Sequence, residues 1–223
     1  MRRSPFSHSP KKLSIDNLSS ACAQVKDRAS TQGVDALTTP PRKRDAAATR
    51  ARILEAAQRA FSETGYSHTG IREIAGMAGT SSTLLLRYFG SKAGLFEAAL
   101  TAAMPIDAVF AQPRETIGRS LAEALLDPAN AVRPPLMIAL AAGDPEAATI
   151  AAKVFESQTV APVAKWLGGA DGRARSLEMA MLATGLVSYL RQLPLRPPSP
   201  DEREHIVAWF AGAIQAIVDQ TER

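Results

Sequence analysis

Gly79 to Lys92 reads GTSSTLLLRYFGSK, and no other stretch limits the possible folds of this chain so sharply. A glycine turn, a short helix with Ser81 as its cap and a further capped start at Ser91 follow one another there. Immediately upstream, Gly70 to Ala78 (GIREIAGMA) has helical spacing and also stops at a glycine. Two short helices joined by a glycine turn make a helix-turn-helix, which presents its second helix to the DNA major groove. The pattern therefore points to sequence-specific DNA binding and away from catalysis.

The flanking residues supply the rest of a small head. A first helix is expected from Asp45 to Thr64, where Ile53, Ala57, Ala60 and Phe61 share a face with Leu54 beside them. Asp45 or Thr49 suits its start, and Gly65 falls where a left-handed closing residue belongs. The second helix, from Gly70, buries Ile71, Ile74, Ala75 and Ala78, and Glu73 is placed to accept a free N–H at its start. In the third, Ser82 to Phe89, a turn of about 100° per residue aims Leu85 and Phe89 at the first two helices. Ser82, Thr83, Leu86 and Arg87 form the opposite stripe. Small polar residues with one arginine and no bulky obstruction suit close approach to base edges, although an isolated helix with this face is also simply solvated. A fourth helix opens at Ser91 and buries Leu95, Phe96, Ala99 and Leu100.

From Ala51 to Leu100 the sequence resembles the DNA-binding domain of the tetracycline-repressor (TetR) family of transcriptional regulators. RILEAAQRAFSETGY (Arg52–Tyr66), TGIREIAGMAGTS (Thr69–Ser81) and LLLRYFGSKAGLF (Leu84–Phe96) carry the likeness, in the right order and spacing. The resemblance implies a three-helix head followed by a larger helical domain that dimerises and often holds a small effector. By motif position it implies Arg72, Ser82, Thr83 and Arg87 as base readers, with Tyr88 and Lys92 on the DNA backbone. Lys92 also sits in the first turn of the fourth helix beside free amide donors, a natural phosphate site. Two positions depart from the family pattern. Leu86 stands where tyrosine is most frequent, which removes a hydroxyl but leaves an apolar tip for a thymine methyl. Gly70 stands where threonine or serine often opens the second helix, and it trades a side-chain phosphate contact for a bare N–H.

Charge is unevenly placed. The formal net charge is +4, but residues 1–44 hold nine Lys/Arg and three Asp, whereas residues 101–223 carry a net −3. The motif, more than a basic surface, carries the case for DNA. Residues 1–44 are rich in Ser, Pro, Thr and cationic side chains without a sustained period, and are expected to be a disordered basic extension. Pro40 to Arg44 (PPRKR) abuts the first helix, where a solubilising tail is the favoured reading and a phosphate-binding arm the alternative. No apolar run is long enough to span a membrane, and no apolar stretch of signal-peptide type follows Arg2 and Arg3. The lone Cys22 cannot make an internal disulfide, which fits a cytoplasmic location. The three histidines, His8, His68 and His205, lie far apart, and no phosphate loop or nucleophile elbow occurs. Neither a metal nor a cofactor is expected.

The head is assigned to residues 45–100 and an effector-binding and dimerisation domain to 101–223, the whole being all-α. Helices are expected over Arg114–Leu126, Ala131–Ala142, Asp144–Leu167 with a kink at Pro162, Asp171–Leu193, and from Ser199 to about Gln220. Along the last two, Leu177, Met181, Thr184, Val187 and Leu190 make one apolar stripe and Ile206, Trp209, Phe210, Ala213 and Ile217 another. Both suit a two-fold seam between subunits, with burial inside one subunit as the alternative. Met137, Phe155, Trp166, Met179 and Tyr189 are candidates for an effector cavity, or for plain core. The function expected is a homodimeric regulator, acting as a repressor on a palindromic double-stranded operator and released by a small molecule. A helical ligand-binding or scaffold protein whose head no longer reads DNA is the alternative, and Leu86 and Gly70 are its support.

Overall fold

The computed structural model describes residues 41–104, 106 and 111–220. The fold is all-helical, with no strand among the described residues. Helix α1 spans Pro41–His68, α2 Ile71–Met77, α3 Ser82–Phe89 and α4 Lys92–Ala102. A 3-10 turn at Arg114–Thr116 leads into α5 (Ile117–Leu126), followed by α6 (Pro134–Ala141) and α7 (Pro145–Phe155). A π-helical turn, Glu156–Val160, joins α7 to α8 (Ala161–Leu167). Helix α9 (Gly172–Val187) runs on through a second π turn, Ser188–Gln192, and α10 is Pro200–Val218.

Local chemistry explains most of these ends. Ser81 Oγ accepts from Leu84 N–H (3.2 Å) and Ser91 Oγ from Gly94 N–H (3.0 Å), so both short head helices begin on a serine. The Glu73 carboxylate accepts the Gly70 N–H (3.3 Å). At α10, Ser199 Oγ accepts from Glu202 N–H while the Glu202 carboxylate accepts from Ser199 N–H (2.7 Å), a complete capping box ahead of Pro200.

Two of four expectations need correction. Helix α1 starts at Pro41, four residues before Asp45, so backbone 41–44 is helical; the expected disorder of the remaining extension falls on residues 1–40, outside the described residues. Proline suits that first turn because the N–H it lacks has no helical partner there. Gly65 closes the first helical run as expected, with a positive φ of 75° (ψ 176°), and the chain bends there before a short further turn to His68. The buried Thr69 hydroxyl donates to the Gly65 carbonyl (2.6 Å), which holds the bend. Helix α6 begins at Pro134 because Arg133, preceding a proline, is kept out of the helical region. The long helix expected from Asp144 to Leu167 with a kink at Pro162 is found: its break is a π turn just ahead of Pro162, whose ring cannot accommodate the Gln158 carbonyl in regular helix.

Two apolar cores organise the molecule. The first joins Ile53, Phe61, Tyr66, Ile74, Leu85, Phe96 and Leu100 of α1–α4 to Met137, Ala147 and Val154 of α6 and α7. It therefore runs across residue 100 and fixes the head to the following helices. The second gathers Ile117, Leu126, Val163, Met179, Leu186, Phe210 and Ile214 from α5 and α8–α10. Arginines fasten its ends. The buried Arg175 donates to Asp171 (3.1 Å) and to the carbonyls of Gly168 and Gln220, and Arg191 donates to those of Leu125, Asp127 and Asn130. Loss of water and then the charge of Arg133 lower the Arg191 pKa. Each guanidinium fork satisfies carbonyls at or beyond helix ends that would otherwise lack donors.

Candidate nucleic-acid interface and ligand cavity

On α3, Leu85 is fully buried against the head core, while Thr83, Leu86 and Arg87 are exposed and Ser82 is half-buried. Spacings of three and four place Thr83, Leu86 and Arg87 on one helix face. Arg72 and Gly70 are exposed at the start of α2, and Tyr88 is half-buried. Every proposed base reader is thus accessible or partly so on a helix whose opposite side is locked into the core.

Lys92 is not a free cation. Its Nζ lies 4.3 Å from the centroid of the Tyr66 ring, within cation–π range. Tyr66 in turn donates its hydroxyl to Glu146 Oε2 on α7 (2.7 Å) and packs against Phe61 and Phe96. A continuous chain of interactions therefore runs from the first turn of α4, where a phosphate is expected, into α7. Lys153 of α7 pairs with Glu97 of α4 (2.9 Å) beside it. Arg50 lies over the Phe89 ring at 5.2 Å and ties α1 to the end of α3. Sequence reasoning gave Tyr66, Glu146 and Arg50 no role. Gly65-Tyr66 marked only a helix end, and Glu146 lies eighty residues away from Tyr66.

Burial, then the hydrogen bond to Glu146 and the charges of Glu146 and Asp144, push the Tyr66 pKa up to about 12. The unfolded chain loses that proton near the ordinary 10.0, so between those values the unfolded state binds fewer protons and stability falls as pH rises. In Tyr66→Phe this part of the alkaline loss should vanish, while stability at pH 7 drops by about 1.5 kcal/mol with the missing bond. Urea midpoints taken from pH 7 to 12 check it: parallel curves for the two proteins would show that Tyr66 is not linked to folding.

Behind the head lies a cavity of about 950 Å³. Phe155, Trp166, Met179 and Tyr189, four of the five candidates, line it. Met137 does not. It is fully buried in the first core, and its neighbour Ile138 faces the cavity instead. Leu177, Met181 and Thr184, expected at a subunit seam, line the cavity as well. Ala102, Ala103 and Met104, at the end of α4 and just beyond, form part of its wall, as does Gln58 of α1, whose amide donates to the Ala99 carbonyl (3.1 Å).

The expected seam also needs revision. Val187, Phe210 and Ile217 are buried within the subunit, and Leu190 and Ile206 pack against the second core. The first three are closed to a partner, while Leu190 and Ile206 keep part of their surface exposed. Met181 and Trp209 remain 66% and 58% exposed, Ala213 is half-buried, and Ala208, Gly212 and Ala216 add an exposed small-residue row to α10.

Two family descriptions match along the chain. Residues 53–99 fit the bacterial regulatory proteins of the tetR family, and residues 115–218 fit the tetracyclin repressor-like C-terminal domain. The chain belongs to the TetR family. Over 70 residues it is 44% identical to the HTH-type transcriptional regulator RutR of Escherichia coli, covering 31% of this chain and 32% of that protein. The match thus spans about a third of that relative's length. Among solved structures, NalD of Pseudomonas aeruginosa, the secondary repressor of the MexAB-OprM multidrug efflux pump, superposes with a TM-score of 0.55 at 22% identity, covering 76% of this chain and 97% of that one. A TetR-family regulator from Streptomyces coelicolor gives 0.55 at 20% identity, covering 77% and 95%. At those identities the likeness speaks to the fold. As a TetR-family protein the chain is a DNA-binding transcriptional regulator, not an enzyme. No helix among the described residues is long and apolar enough to cross a membrane.

Proposed function

We propose that this TetR-family regulator is a cytoplasmic homodimeric repressor that binds a palindromic operator and is released by a small molecule filling the cavity. The observation that carries the reading is the course of α4. Its first turn holds Lys92, the proposed phosphate contact, and Ala102 at its other end is part of the cavity wall. A ligand that displaces Ala102–Met104 moves α4 and changes the separation of two heads, and a palindrome accepts only a narrow range of separations. Weakening the operator about 100-fold requires roughly 2.7 kcal/mol of differential binding, within the usual range of allosteric coupling. By reciprocity the operator weakens the ligand by the same factor.

Within the head, Arg72, Ser82, Thr83, Leu86 and Arg87 read bases, while Gly70, Tyr88 and Lys92 hold the backbone. Randomised-site selection with three proteins tests the division. Arg87→Ala should relax one position in each half-site, costing about 1–3 kcal/mol if guanine is read. Lys92→Ala should weaken all sequences alike and flatten the salt dependence by about one unit for each phosphate it no longer neutralises. A Lys92→Ala protein with altered sequence preference and an unchanged salt slope would reverse the two roles.

A further inference from the structure

We infer that Glu146 of α7 and Tyr66 of α1 are positioning residues for Lys92, holding its ammonium where operator phosphate is to meet it. This deepens the reading of Lys92 as a backbone contact and rests on it. Lys92 is half-buried in the first turn of α4, and its Nζ lies 4.3 Å from the centroid of the Tyr66 ring. A lysine on a DNA-facing surface is ordinarily a solvated charge on a flexible four-carbon stem, and binding costs it that freedom. Over the ring much of the freedom is already given up in the free protein. The ring engages one side of the ammonium only, so the donors that point away from it stay available to a phosphate oxygen.

The platform is itself fixed. Phe61 stacks along Tyr66 with ring centroids 6.1 Å apart, and Phe96 meets it edge-on at 5.2 Å. The polar end is held from another helix, where Glu146 Oε2 accepts the Tyr66 hydroxyl at 2.7 Å. A phenylalanine would fill the same core, so the hydroxyl and its exposed carboxylate partner call for a further role. A carboxylate drawing on the phenolic proton makes a strong hydrogen bond and polarises the ring toward greater electron density. A richer ring holds a cation more firmly. The other polar link between α4 and α7, Lys153 to Glu97 (2.9 Å), joins two exposed side chains and involves neither Lys92 nor Tyr66. Pairs of that kind contribute little.

Double-mutant cycles on operator affinity, measured with the full-length protein over a salt series, test the assignment. With Lys92 present, Tyr66→Leu should weaken the operator about fivefold and Glu146→Ala about threefold, the range of a cation–π contact at an accessible site. In a Lys92→Ala background neither should cost anything further. Glu146→Gln, whose amide oxygen still accepts the hydroxyl, should keep most of the parental affinity. Lys153→Ala, which breaks the other link between α4 and α7, should leave the operator unaffected. Tyr66→Leu removes a core ring, so its urea midpoint is checked first; Glu146→Ala alters an exposed side chain and decides the matter if Tyr66→Leu is unfolded. Losses that persist in full without Lys92 would make Tyr66 and Glu146 plain supports of the core and overturn the inference. So would parental affinity in Glu146→Ala, or an equal loss in Lys153→Ala. In each of those cases a flattened salt slope in Lys92→Ala leaves the phosphate contact standing. A Lys92→Ala protein with parental affinity and salt slope overturns that contact, and the inference with it.

Discussion

Gly118→Ala should cost the protein about 2–3 kcal/mol, seen as a lower urea midpoint for the whole chain. Helices α5 and α10 cross at this glycine. A Cβ there would fall well inside van der Waals contact with the Ala211 carbonyl oxygen and 3.2 Å from Gln215 N. Backbone atoms cannot rotate aside as a side chain would, so the two helices must separate. Separation also strains the Gly118 N–H bond to Gln215 Oε1 (3.3 Å) and the bonds from Gln215 to the Arg114 carbonyl and Asp219. Phe210 and Ile214, fully buried between these helices in the second core, then pack less closely. Gly76→Ala is the control. It stands exposed in α2 with nothing near its Cβ position, and should raise stability by up to about 1 kcal/mol through helix propensity. Equal midpoints for the Gly118→Ala and parent proteins would show that the crossing is not held at its glycine distance.

The contrast between these glycines shows how far the sequence could be read. Capping is a local code, and it placed α3 to the residue, because Ser81 and Gly90 act within one turn of the helix they bound. The same holds for Ser91, Asp144 and Ser199, each of which accepts the N–H expected of it. Gly118 and Gly76 look alike in the sequence, and only the crossing of α5 with α10 separates them. Long-range polar pairs were equally invisible. Nothing near Tyr66 announces Glu146, and nothing near Arg175 announces the carbonyls of Gly168 and Gln220. A buried arginine reads as a surface residue until the helix ends it serves are known.

Periodicity misled at the last two helices for a related reason. Helix α10 is apolar on more than one side, so the stripe through Ile206, Phe210, Ala213 and Ile217 mixes two destinations. Phe210 and Ile217 face the subunit's own core, while Trp209, one residue from Phe210, points about 100° away and remains exposed. On α9 the stripe divides again, with Val187 buried and Met181 exposed at the cavity rim. A single-chain pattern cannot distinguish an apolar face that meets its own domain from one that meets a second copy. Exposure in the folded subunit narrows the choice, and on α10 it leaves Trp209 and the row Ala208, Gly212 and Ala216 open to the proposed second copy.

Trp209→Glu should therefore separate the subunits without unfolding them, and abolish tight operator binding. In a two-fold seam each substitution counts twice, once from each side. A central tryptophan is worth about 2 kcal/mol or more, so the pair loses roughly 4 kcal/mol, an increase of about 1000-fold in the dimer dissociation constant. In the proposed seam the neighbouring small residues would let two copies of α10 approach closely, and an acidic side chain placed there would also meet its own symmetry mate. Because the tryptophan is 58% exposed in the subunit, circular dichroism and the urea midpoint extrapolated to monomer should change little. Phe210→Glu, by contrast, buries a charge and should unfold the second core. Sedimentation equilibrium reads the dissociation directly. Randomised-site selection reads its consequence: the parent protein should return inverted half-sites, and Trp209→Glu only weak enrichment of a single half-site, because one short recognition helix supplies too little interface alone. A Trp209→Glu protein that stays dimeric over the same concentrations and still selects the palindrome would place the seam on another face of the molecule.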